Sequence, residues 1–418
     1  MKLAVTGFVS EQAGSGTSAV ALLLRELLRR GHEITFFSKS SFVDPRPSLG
    51  GEPGFRFVET TNAFQDGIRR KLQHLPLLGM LAGQWDSISY NQLLLEKMAG
   101  AAKSLGRFDL CLWLLDYAWG RTAGVPSVSF VQGPPGTDAR SILHRIGEVK
   151  ALAGPIESAK WQTLAKFRLS RLGLPPFGNS DHFIVGSSES QGALHNRYGI
   201  PADRISILPF PIDLELFDLG DSKRQTVSGH DARDQPLRLC WLGRIVPRKR
   251  LDLFLNGAAL AIRQGVDLQI TIVGGVGFVR GYEKMIEAFP FRDRLTWKKS
   301  VPRQEVPSLL RVHDVLVQPS DEENFGSSVA EAQACGLPVV VGRTNGNADY
   351  LCSRDIHLSD DRPETLAAAL RELSLRKTEG RWGDPGESRR CAEEHFSLEK
   401  VTTRLIQILE SVSAIRRG

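Results

Sequence analysis

Short apolar runs and one helical stripe divide this chain into two similar halves. In the first part, apolar segments stand at Leu3–Val5, Ile34–Phe37, Phe55–Val58, Leu110–Leu115, Val128–Val131 and Phe183–Val185. Runs of this length bounded by turn residues read as buried strands. Val20, Leu23, Leu24, Leu27 and Leu28 fall on one helix face that Gly31 closes. Alternating strands and helices predict a parallel, doubly wound sheet. Residues 220–236 are polar and nearly free of large apolar side chains, so they read as a linker or long surface loop. A second α/β series follows, with strands near Leu237–Leu242, Leu268–Val273, Val315–Gln318 and Pro338–Val341. Two such halves leave a cleft between them, a preferred place for ligands.

The most informative chemistry lies at 315–341, VLVQPSDEENFGSSVAEAQACGLPVVV. A strand ends at Pro319, and the loop and helix after it carry Glu323 and Glu331. Ser327 and Ser328 are good helix openers, and Glu331 lies one turn on, about 6 Å at ~1.5 Å per residue. Free amides and a helix dipole suit a phosphate, and flanking carboxylates accept hydrogen bonds from hydroxyls. A sugar joined to a nucleoside diphosphate needs both.

This spacing resembles the donor-site signature of the retaining glycosyltransferases of family four, which have the GT-B fold. Ser320, Glu323, Phe325, Gly326, Glu331, Gly336, Pro338, Val339 and Val340 match that pattern. The resemblance covers both halves and implies two Rossmann-like domains facing a cleft. Residues 1–213 would form the acceptor-side domain, with the C-terminal helix 393–415 as a candidate to join it. Residues 214–236 would be the linker and 237–392 the nucleotide-sugar domain.

Gly243-Arg244 ends a strand, and Pro247-Arg248-Lys249-Arg250 follows before the next helix. A diphosphate leaving group needs fixed positive charge as its oxygen becomes negative. The resemblance assigns that clamp to Arg244 and Lys249, and leaves Arg248 and Arg250 as surface charges. It also places the amides of Phe325 to Ser327 at phosphate or sugar, with Asn324 beside them, Glu323 on donor-sugar hydroxyls and Glu331 on the ribose or adjacent hydroxyls. Gly274 and Gly275 end a strand and read as nucleotide contacts or as a plain tight turn. Gly14 and Gly16, before the Val20 stripe, fit neither a dinucleotide fingerprint nor a P-loop; they read as the family's glycine-rich loop, which leans over the donor phosphates here, or as a bare turn. Gln132 stands where many relatives carry histidine, and an amide holds a hydroxyl but carries no proton near neutral pH. Asp138 and Asp116 follow strand ends and are acceptor contacts, caps or surface carboxylates. Thr344 to Asp349 departs from the family's Gly-Gly and Pro-Glu, so sugar selection is expected to differ.

Composition adds boundaries. The 418 residues are 41% hydrophobic and 24% charged, as in ordinary globular proteins. No apolar run approaches the ~20 residues of a membrane span, and the five scattered cysteines suit a reducing compartment. A net charge of +6 fits anionic partners. Segments Ile68–Leu72 through Trp85, and Lys160-Trp161 through Arg171, mix basic and apolar residues; they read as anionic-membrane contacts or as helices packed on the sheet. Neither a metal site nor a nucleic-acid motif is found, and no cofactor is expected. The resemblance implies a cytoplasmic, metal-independent, retaining hexosyltransferase. It would use a nucleoside diphosphate sugar and a glycan, lipid-linked or small-molecule hydroxyl, with peripheral membrane contact in view. The alternatives are a sugar-nucleotide epimerase and a non-catalytic sugar-nucleotide-binding protein.

Overall fold

A computed structural model describes residues 1–10, 15–38, 44–60, 76–122, 124–220 and 235–415. Gly14, Ile68–Leu72 and 221–234 lie outside the described residues. The first half builds a seven-stranded sheet from β1 (Lys2–Gly7), β2 (Glu33–Ser38), β3 (Phe55–Glu59), β4 (Leu110–Leu114), β5 (Ser127–Phe130), β6 (His182–Val185) and β7 (Ile205–Ile207). Their order is β3-β2-β1-β4-β5-β6-β7, and every pair is parallel. The second half contributes β8 (Leu237–Leu242), β9 (Leu268–Val273), β10 (Leu295–Lys298), β11 (Val315–Gln318), β12 (Val339–Val341) and β13 (Ile356–His357). These form an all-parallel sheet in the order β10-β9-β8-β11-β12-β13. Two doubly wound halves are therefore present, as the strand pattern predicts.

The helix stripe behaves as read. Val20, Leu23, Leu24, Leu27 and Leu28 are buried on the Ser15–Arg29 helix, and Gly31 takes φ 80 where the chain turns into β2. One apolar core runs through both halves, joining Leu3, Leu24 and Phe130 to Leu316, Phe325 and Val339. The Leu398–Ile415 helix enters the same core through Val401, Leu405 and Leu409 and packs on the Ser15–Arg29 helix. Arg30 Nη1 donates to Thr403 Oγ1 there at 2.8 Å.

A second core surrounds Trp241, Phe254 and Ile270 and takes in Val149, on the Ile146–Ala153 helix between β5 and β6. The next helix, Pro155–Arg168, lays Trp161 against Phe278 with ring centroids 5.0 Å apart. Trp161, read as a candidate membrane contact, therefore packs on the second half, while Lys166, Arg168 and Arg171 face solvent. Of the other such segment, the part from Pro76 lies on the Pro76–Leu105 helix. Among the described residues, no helix is long and apolar enough to cross a membrane.

Candidate active site

Loops leaving the carboxyl ends of both sheets meet, and the loop after β11 is the meeting point. Its shape is fixed by amides behind it. Asn345 Nδ2 donates to the Gln318 carbonyl at 3.1 Å, and Asn347 bonds Gly326 through both side-chain atoms, at 2.8 and 3.0 Å. The Gly346 amide donates to the Glu323 carbonyl at 2.7 Å. A Cβ at Gly346 would lie 2.3 Å from the Asn324 carbonyl oxygen, so only glycine fits. The 344–347 departure thus buttresses the loop. The Gly326 amide, expected at a phosphate, is already bonded to Asn347 Oδ1.

Asn324 and Phe325, expected at the donor, also join the halves. Asn324 Oδ1 accepts from the Gly186 amide at 2.8 Å, and its Nδ2 donates to the Val131 carbonyl at 3.3 Å. A Cβ at Gly133 would lie 2.8 Å from the Asn324 Cβ, and one at Gly186 would lie 2.7 Å from the Phe325 Cβ. Phe325 packs on Phe210, Tyr350 and Phe396. Asp349 is likewise interdomain: it accepts from the amide (2.6 Å) and hydroxyl (2.7 Å) of Ser188, at the start of the Ser188–Tyr198 helix. It supplements the helix's own N-cap, Ser187, whose hydroxyl accepts from the Ser190 amide, since first-turn amides lack intrahelical partners.

Glu323 is only 7% exposed and sits among cations. Lys249 Nζ pairs with its Oε2, and Arg248 Nη1 donates to the same oxygen at 2.8 Å. Arg248 Nε reaches Asp138 Oδ1 of the first half at 2.8 Å, and Arg244 Nη2 stands 3.7 Å from Asp138 Oδ2. Lys249 ends a short 3₁₀ turn, Pro247–Lys249, which aims it at the loop. Burial raises the Glu323 pKa, but Arg248 and Lys249 outweigh it and hold the carboxyl down at about 2. Burial pulls the Lys249 ammonium below its ordinary value, against Glu323.

Arg248 and Arg250 are therefore not surface charges. Arg248 bridges both halves, and Arg250 is 7% exposed, pairing with Asp252 and Asp321 from a left-handed φ of 52. The motif spacing pointed only to Arg244 and Lys249; proximity of Asp138 to Arg248 arises from folding and leaves no local signal.

Glu331 is 2% exposed on the Ser327–Ala334 helix. Arg303 Nη1 donates to it at 2.9 Å and stands 3.3 Å from Ser15 Oγ of the first half. Burial raises the Glu331 pKa, opposed by Arg303 and Ser15. Arg303 escaped the sequence reading because a lone arginine before a helix looks like a solvated cap. Ser327 opens the Glu331 helix half-buried. Gln132 is exposed, and its Nε2 lies 3.6 Å from where a Gly16 side chain would begin, so the two face each other. Gly274 is set by packing: a Cβ there would lie 1.8 Å from the Gly243 carbonyl oxygen. Asp116 follows β4 half-buried, and burial pushes its carboxyl up to about 6.

Paired carboxylates and cations in one crevice can exchange partners with a diphosphate and sugar hydroxyls. Comparison with known proteins identifies the family. The family described as "Glycosyl transferases group 1" matches residues 223–389, and that described as "Glycosyltransferase Family 4" matches 16–216. A D-inositol 3-phosphate glycosyltransferase of Paenarthrobacter aurescens (strain TC1) is 32% identical over 377 residues, 87% of this chain and 86% of that protein. One from Xylanimonas cellulosilytica is 24% identical over 95% of this chain and 93% of its own length. Among solved structures, Anabaena Alr3699/HepE in complex with UDP superposes with a TM-score of 0.64 at 16% identity, covering 98% of this chain and all of that one. Sucrose-phosphate synthase from Thermosynechococcus elongatus gives 0.66 at 17%, covering 99% of this chain and 100% of its own. With two parallel α/β halves meeting at the loop after β11, this chain belongs to glycosyltransferase family 4 and is a transferase of GT-B fold.

Proposed function

We propose that the protein moves a hexosyl unit from a nucleoside diphosphate sugar to an acceptor hydroxyl, with retention at the anomeric carbon and without a metal. The observation that carries this reading is Glu323, held by Lys249 and Arg248 beside Asp138 of the opposite half. A donor entering there exchanges these contacts: its diphosphate takes Lys249 and Arg244, and its sugar hydroxyls take Glu323. Glu331 accepts from the ribose, with Arg303 donating to it from the side. Positive charge fixed before the reaction stabilises the leaving diphosphate without reorganisation. The acceptor hydroxyl attacks from the face that the diphosphate leaves, beside Gln132 and the Asp116 carboxyl. As the diphosphate departs, its oxygen takes the acceptor's proton.

The names of the relatives make UDP-sugars the first donors to test and a phosphorylated cyclitol the first acceptor. The experiment incubates UDP-, GDP- and ADP-sugars with D-inositol 3-phosphate and with a glycan panel. Products are read by mass spectrometry and anomeric NMR. An α-linked product from an α-linked donor is expected. Isomerised donor without acceptor product would instead indicate an epimerase, and a thermal shift without any turnover a binding protein.

A further inference from the structure

Residues 321–324 are four consecutive positions whose side chains all take partners outside their own loop. Asp321 pairs with Arg145 of the first half and stands 3.4 Å from Arg250 of the second. Glu323 and Asn324 are bound as described. Between them Glu322 adopts φ 44, a left-handed conformation that favours glycine and that a glutamate holds only when its surroundings impose it. Its amide donates to Thr344 Oγ1 at 2.9 Å. Its carboxylate accepts from Arg140 Nε and from Arg197 Nη1, each at 2.7 Å, and both arginines belong to the first half. Arg140 is itself tethered to Tyr198 Oη at 2.7 Å and the Pro135 carbonyl at 2.8 Å. These ion pairs flank a cavity of about 270 Å³ between the halves that Arg343, Glu189 and Asp361 also line. Water entering there leaves the pairs open to dissolved salt.

We propose that Glu322 is a positioning residue: its ion pairs with Arg140 and Arg197 fix the neighbouring Glu323 carboxylate relative to the first half. The sugar-binding group then stands in register only when the halves are closed. The backbone leaves little slack for any other arrangement. Glu323 follows Glu322 directly, its carbonyl is tied to Gly346, and the next residue is tied to Gly186. Displacing the first half must therefore pull on Glu323 through one peptide unit. This inference rests on the proposed role of Glu323 toward the donor.

The test compares E322N with E322D. Asparagine and aspartate have the same size and both tolerate left-handed backbone, so the pair differs in charge alone. E322N is expected to lower kcat by roughly 10- to 100-fold, the scale of a misplaced reacting group. Donor KM should stay within about twofold, because the donor is held mainly by second-half residues. E322D should restore most of kcat, and R197Q, which removes the more exposed arm, should fall between them. Equal losses in E322N and E322D, wild-type kcat in E322N, or a loss accounted for by the unfolded fraction in a thermal melt overturns the proposal. Small-angle scattering needs no donor. E322N should show a larger radius of gyration than wild type at low salt, with the wild type approaching it at high salt. If no donor is turned over, the glycosyl-transfer reading fails on its own, and an unchanged radius in E322N then overturns the latch as well.

Discussion

At the scale of the residue, the site is a set of buried charges that satisfy one another. Removing one partner leaves a group whose fate depends on what else touches it. Lys249→Ala leaves Glu323 paired with Arg248, so the fold should persist while the diphosphate loses a cation. Turnover is expected to fall by ~10²-fold or more, measured as kcat with a saturating donor, and unchanged kinetics would remove Lys249 from the clamp. Glu148 offers a cleaner charge experiment. It faces Asp252, Arg145, Arg250 and the Tyr282 hydroxyl at 3.2 Å, across the join between the halves. Burial, reinforced by Asp252, pushes its carboxyl up to about 7. A folded pKa above the unfolded one means that the folded state binds the proton more tightly. Its stabilising contribution is complete below about 4.5 and fades as pH rises through about 7. Melting temperatures of wild type should therefore decline between those values relative to Glu148→Gln, which cannot ionise; parallel profiles would contradict this.

At the scale of the element, strand ends and caps decide what the side chains can reach. Asp349 bonds the first amide of the Ser188–Tyr198 helix from the other half, so Asp349→Ala should cost about 1 kcal/mol, typical of a lost cap. Chemical denaturation would show it, and no change would mean that water replaces the carboxylate. Most strands were legible as short runs rich in apolar residues, the edge strand β3 (Phe55–Glu59) among them. The other three edge strands, β7, β10 and β13, were not: they are two to four residues long and carry polar positions, as in Leu295-Thr-Trp-Lys298. The same distinction holds in the site. Glu323 and Lys249 stand at strand ends inside a recognisable spacing, so local order revealed them. Arg248, Arg303, Arg140 and Arg197 act through carboxylate partners 28 to 182 positions away, and no local pattern announces such pairs. Asn324 and Phe325 had a motif, but spacing alone did not announce the contacts between halves that both also make.

At the scale of the whole molecule, the continuous core implies that neither half is independent. Leu3 and Phe130 share a cluster with Val339 and with Leu405 and Leu409 of the last helix. Calorimetry should show one cooperative transition, and two well-separated peaks would contradict the shared core. Ending the chain after Ser397 would strip Val401, Leu405 and Leu409 from that core. The first half should then expose apolar surface and bind a hydrophobic dye, whereas a truncated protein with an unchanged melt would show that the helix only decorates the surface.

The helices between β5 and β6 belong to the first half by order along the chain, yet Val149 and Trp161 rest on the interior and flank of the second. Anyone exchanging halves between relatives to change donor preference must treat residues 137–168 as cargo of the incoming half. A graft cut at the polar stretch before β8 would seat a foreign Val149 and Trp161 against a pocket shaped for others.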